Sequence, residues 1–197
     1  METLLSICLG IGLSAACGFR VFVPLLVMSI ASLSGHLQLA QGFAWIGTYP
    51  ALIAFAVATC LEIGGYYIPW LDHLLDTLAT PAAIVAGTIV MASMVSGMSP
   101  LMKWSLAIIA GGGAAGLVQG STVLLRGTST ATTGGFGNPI VATIELVGSV
   151  LMSILALVTP ILVVGVLLVG LLFVGKALSR RNAKAAPTSL TKAGVTS

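Results

Sequence analysis

Three charged side chains interrupt long apolar runs of the chain: Arg20, Glu62 and Glu145. A charge inside a bilayer costs roughly 2.5–3.5 kcal/mol on insertion scales, so such groups face an interior, a cavity or a partner rather than lipid. Two carboxylates that meet in that setting make a proton-binding pair or a cation site. A guanidinium presents a planar fork, so Arg20 is a candidate to hold an anionic solute or a lipid head group, or to pair with one of the glutamates. These three are the candidate substrate- or ion-binding residues. Each also has a purely structural role to weigh: a glutamate bonded to a hydroxyl or backbone group pins helix packing, and an arginine at a helix break snorkels toward the interface.

A secondary polar site is formed by Asp72, His73 and Asp76, with Asn138 as a fourth member. On a helix Asp72 and Asp76 share a face and His73 adjoins Asp76. Two carboxylates and one imidazole are few ligands, so solvation and capping of an interfacial helix explain them better than a metal. Cys8, Cys17 and Cys60 lie in apolar stretches without metal or redox spacing and read as small core residues. The Thr- and Gly-rich stretch from Thr128 to Gly137, ending at Asn138 on a helix start, could hold phosphate through backbone amides, but it has no Walker lysine. The Gly-rich run from Gly111 lies in an apolar span and reads as helix packing. With no nucleophile–base pattern, the sequence points away from an enzyme, and no cofactor or metal is expected.

The elements that carry these residues are membrane helices. The chain of 197 residues is 57% hydrophobic and only 7% charged, against roughly 25% charged in a soluble domain. The net charge of +3 does not mark a nucleic-acid binder, because five of the eight basic residues (Lys176, Arg180, Arg181, Lys184 and Lys192) fall in the last 22 positions. That cluster is a topology signal, and the lipid bilayer is the expected surrounding. An apolar start ending at Cys17 is a near miss for a lipoprotein signal, but it carries Glu2 where a basic start is needed, so the segment is expected to remain.

Helix starts are marked by an acceptor followed by proline at Thr80-Pro81, Ser99-Pro100, Asn138-Pro139 and Thr159-Pro160, with a fifth at Tyr49-Pro50. Together with the N-terminal segment this predicts an all-α polytopic bundle of about six spans, roughly over 3–33, 50–69, 81–97, 100–125, 139–158 and 160–178. Aromatic residues flank the second, Trp45 and Tyr49 before it and Tyr66, Tyr67 and Trp70 after it. The Tyr49-to-Tyr66 interval of about 26 Å is close to the hydrocarbon thickness. The first is too long, since a helix over 3–33 would run about 46 Å, so it either tilts or breaks near Gly18 or Pro24. Residues 1–181 then form a single transmembrane domain, and 182–197 a disordered basic cytoplasmic tail. An even number of spans puts both termini in the cytoplasm. Arg126 agrees with that orientation and Lys103 does not.

The two halves, 1–97 and 98–181, can be laid over each other. Gly10, Ser14 and Gly18 recur as Gly112, Gly116 and Gly120, small residues four apart that let helix backbones approach inside a membrane. Glu62 with Gly65 then matches Glu145 with Gly148, and Thr80-Pro81 matches Thr159-Pro160. Three helices per half is an odd number, which implies two inverted repeats, the plan of many carriers. In that arrangement Glu62 and Glu145 come to a similar depth and are expected to approach each other.

From Gly18-Phe19-Arg20-Val21-Phe22-Val23-Pro24-Leu25-Leu26, through Glu62, Pro69-Trp70-Leu71-Asp72 and Asp76, Thr80-Pro81 with Gly87, to Gly137-Asn138-Pro139 with Thr143 and Glu145, the sequence resembles an uncharacterised bacterial integral-membrane family of the DUF4126 type. The resemblance implies a fold and a membrane location, here the bacterial inner membrane, and no activity. Gly65-Tyr66-Tyr67 departs from relatives that carry an acidic–basic pair there. Two functions stand against each other. One is a carrier or channel for a small ion, anionic solute or lipid head group. The other is a structural or assembly protein whose glycine faces dock another protein or a second copy of the chain.

Overall fold

The computed structural model describes residues 2–185, apart from the side chains of 69–74, 76, 171, 173–175 and 177–185. All regular structure in it is helical: α1 Glu2–Cys17, α2 Phe22–Leu33, α3 Tyr49–Gly65, α4 Pro69–Met94, α5 Pro100–Thr133, α6 Asn138–Val158 and α7 Pro160–Ala185, with a 3-10 turn at Ala44–Gly47. Three stretches are long and apolar enough to cross a membrane: Thr77–Met94, Pro100–Thr133 and Asn138–Val158. α1, α2, α3 and Pro160–Gly170 are shorter apolar helices. The described residues fall into two compact units, one up to Val163 and one from Val164 onward that holds the rest of α7.

The proline-marked starts hold at four places. Ser99 caps α5 by accepting from the Met102 amide, Pro139 follows the first residue of α6, and α7 opens on Pro160. α3 opens at Tyr49-Pro50, with Thr48 as its capping acceptor. Thr80-Pro81 is not a start: α4 begins at Pro69 and carries Pro81 in its interior, where it removes one helical hydrogen bond. α5 likewise outruns its expected end at 125 by eight residues, to Thr133, so most of the supposed Thr/Gly-rich loop is helix. α7 continues to Ala185, into the expected tail; the remaining tail lies outside the described residues.

The first segment breaks at residues 18–21 and the chain reverses. Gln38, Leu39 and Ala40, which follow α2, line the same cavity as Glu2, Thr3 and Ser6 at the start of α1, and the Ala40 amide donates to the Ser93 carbonyl at 2.8 Å. At 16 and 12 residues, α1 and α2 are about 24 and 18 Å long, too short to cross ~30 Å of hydrocarbon. They form a helical hairpin whose tip points into the bundle. Among the described residues the first half therefore holds four helices and the second three.

Polarity runs inside out. On α6 the small and polar Ala142, Glu145, Ser149, Ser153 and Ala156 are buried, while Ile140, Ile144, Val147 and Leu151 are exposed at helical spacing. An apolar face of this kind turned outward is what lipid contact requires, and small interior residues let backbones approach. One close approach is at Gly87 of α4. A Cβ there would stand 2.6 Å from the Ala115 Cβ and 2.8 Å from the Gly111 carbonyl oxygen, and the Ser14 hydroxyl of α1 donates to the Gly87 carbonyl at 2.7 Å. Gly111 belongs to a π-helical turn, Ala107–Gly112, inside α5. α1, α4 and α5 thus meet around one glycine, beside a core of Met91, Ala92, Val95 and Ala107.

Candidate functional site

The tip of the hairpin presses on α5. A Cβ at Gly18 would stand 2.5 Å from the Ala115 carbonyl oxygen and 2.6 Å from the Val118 Cβ, so only glycine fits. Ala115 is the sixteenth of the 34 residues of α5, which places the tip at half its length. The break leaves polar backbone inside the bundle that must find partners. The Ser149 hydroxyl of α6 donates to the Ala16 carbonyl at 3.1 Å, closing the end of α1. At the start of α2, Val21 offers no side-chain cap. Glu62 reaches across from α3 instead, accepting from the Val21 amide at 2.8 Å and the Phe22 amide at 3.1 Å. One carboxylate does from another helix what an N-cap residue does within its own, at the end where the helix dipole favours a negative charge.

Arg20 occupies the tip itself and is 2% exposed. Its Nη2 donates to the Ala142 carbonyl at 2.8 Å and lies 3.8 Å from a Glu145 carboxylate oxygen. Its Nε and Nη1 are buried and have no hydrogen-bond partner among the described residues. Glu145 is held chiefly by Arg126 of α5: Nε donates to Oε1 at 2.9 Å, and Nη2 donates to Oε2. Both guanidiniums lie over the Tyr66 ring, Arg20 at 3.9 Å and Arg126 at 4.1 Å from its centroid, as cation–π contacts require. Three helices and two inter-helix turns thus contribute to a buried cluster of two arginines, two glutamates and a tyrosine.

The expected meeting of Glu62 and Glu145 takes an indirect form. Glu145 contacts Arg20, while Glu62 binds the amides of the two residues after Arg20. Asn138 is buried and exchanges hydrogen bonds with Thr130 at 3.3–3.4 Å, tying α6 to α5. Asp72, His73 and Asp76 lie near the start of α4, and their side chains fall outside the described residues. Of the small-residue stripes, Gly10 faces Met91, Ser14 faces Gly87 and Gly18 faces α5. Gly112 and Gly116 face Thr88 and Ile84 of α4, whereas Gly120 has nothing within 4 Å. Cys8 and Cys17 are buried and Cys60 is exposed.

Two members of the cluster are absent from the sequence expectation. Arg126 reads as an interfacial topology marker only if α5 ends at 125; the seven Ser, Thr, Ala and Gly residues that follow continue the helix and draw it inward. Tyr66 reads as a belt aromatic but is buried, while Tyr67 keeps the exposed position and bonds Thr143 at 3.1 Å. The signal available for Arg126 was a second intramembrane cation needed to balance two glutamates.

A family model described as a domain of unknown function (DUF4126) matches residues 7–181. No curated protein and no solved structure matches the chain.

Proposed function

We propose that this chain, which belongs to the DUF4126 family, is a small integral membrane carrier or channel for a small ion, an anionic solute or a lipid head group, working without catalysis through Arg20, Glu62 and Glu145. One observation carries the reading. Arg20 sits buried at the tip of a broken helix, half-way along α5, with two donor nitrogens that have no hydrogen-bond partner among the described residues. Irregular backbone inside a membrane lines a cavity or protein interior, and charged groups at half-helix ends near the midplane are how repeat-built carriers bind their ions.

In this reading Arg20 takes the anion and Glu145 is the internal competitor, released or re-engaged as the anion arrives or leaves. Arg126 holds Glu145 in either state, so the carboxylate is never left uncompensated. Glu62 fixes the start of α2 and with it the direction of Arg20. The inverted pairing of the two halves, a plasma-membrane location and a cytoplasmic basic tail belong to the same proposal.

The test is flux in proteoliposomes with chloride, inorganic phosphate and acetate as probes. Arg20→Gln should fold, because Glu145 keeps Arg126, and should lose saturable flux of whichever anion the wild type moves. Equal flux in the two proteins contradicts the proposal, as does a wild type that moves none of the three. A second reading is favoured by the capping bonds of Glu62 and the bidentate hold on Glu145: both suit a packing role in an assembly protein. Glu62→Gln and Glu145→Gln separate the two, since a carrier keeps its fold and loses flux, whereas an assembly protein loses its complex.

A further inference from the structure

Beside the charged cluster the bundle has a second opening, of different character. A cleft of about 530 Å³ lies between the start of α2, α3 and α4, within the ~300–1,000 Å³ of small-molecule sites. At its mouth stand Leu61 and Leu78, 71% and 58% exposed on the apolar outer surface, so it opens toward lipid. Ala79 and Ala82 of α4 line it and keep it open, where larger side chains would fill it. The polar groups among the lining residues are Glu62 and Tyr66. Arg20 and Arg126, stacked on Tyr66, are not among the lining residues.

We infer that this cleft is a binding site for a lipophilic monocation that enters from the bilayer, its apolar body against the alanine and leucine walls and its charge facing Glu62. A carboxylate offers about four acceptor positions, and the Val21 and Phe22 amides use two, so Glu62 can face a cation without releasing α2. An apolar chamber whose described lining carries one acidic group, Glu62, complements a ligand of that polarity, and an anion of equal shape meets that carboxylate with no cation among the described lining residues. The site shares Glu62 and Tyr66 with the charged cluster, but it does not depend on an anion at Arg20.

Tetraphenylphosphonium and tetraphenylborate, near-identical in shape and opposite in charge, are the probes, measured by equilibrium dialysis against the full chain in detergent. The cation should bind saturably at one site, at least about tenfold tighter than the anion. Glu62→Gln should weaken it by a similar factor. Because Glu62 also caps α2, Ala82→Leu serves as the second variant: it narrows the cleft, leaves both carboxylates, and should abolish cation binding in a protein of unchanged elution volume. Equal binding of the two ions, or cation binding unaltered in Ala82→Leu, overturns the inference. Neither result touches anion flux, which Arg20→Gln reports independently.

Discussion

Glu62 and Glu145 hold matched places in the two halves of the chain, yet they satisfy opposite needs. Glu62 closes backbone amides exposed where α1 and α2 part; Glu145 closes guanidiniums, of Arg126 chiefly and of Arg20 at 3.8 Å. The difference comes from the helix that precedes each. The first half breaks its opening helix and so creates donors on the main chain. The second half keeps α5 continuous, with a π turn in place of a break, and its donors come from a side chain. Both carboxylates are buried, and the local backbone decides the partner of each.

Removing each glutamate should measure that difference. Glu145→Ala leaves two buried guanidiniums without their carboxylate, and the loss of stability in a denaturant titration in mild detergent should be the largest of the series, about 3–5 kcal/mol. Replacing Arg126 and Glu145 together with leucine should recover much of it, because the guanidinium that holds Glu145 is then removed along with the carboxylate. Should the double variant be no better than the single, the pair is more than a mutual compensation. Gly87→Ala comes next, at about 1–3 kcal/mol, since the added methyl meets the Ala115 methyl and the Gly111 carbonyl, neither of which can turn aside. Glu62→Gln should cost about 0.5–2 kcal/mol, the worth of a helix cap, because its amide oxygen still accepts from one of the two amides. A loss as large as that of Glu145→Ala would make the two glutamates equivalent and remove the contrast. The smallest effect is expected at Gly120→Ala, within about 1 kcal/mol of wild type, for a methyl there meets nothing within 4 Å.

The sequence carries the membrane character, the glutamates and most proline-marked starts, because these rest on local chemistry: hydropathy, cost of burial and capping. It misleads where the outcome depends on what a segment packs against. Thr80-Pro81 has the form of a helix start, but α4 already runs through it, packed on α1 and α5, and absorbs the missing bond. Gly18 and Pro24 mark a weak point in the first segment without revealing that the chain reverses there; the reversal needs Ala115 to admit Gly18 and Glu62 to cap Val21, and those lie 97 and 41 residues away. The stripe of Gly112, Gly116 and Gly120 looks uniform, yet its first two members face α4 and the third faces open space. Arg126 is misassigned for the same reason, its depth being set by how far α5 continues.

The central claim is that Arg20, at the tip of the hairpin, holds an anion. Thermal unfolding of the purified full chain in detergent, against rising chloride, phosphate or acetate at constant ionic strength, tests it most directly, because a ligand bound only by the folded state stabilises it by about 2.7 kcal/mol at a hundred times its dissociation constant. One of these anions should raise the Tm of the wild type along a saturating curve and leave Arg20→Gln unmoved; equal shifts in both proteins, or none in the wild type, would contradict the account.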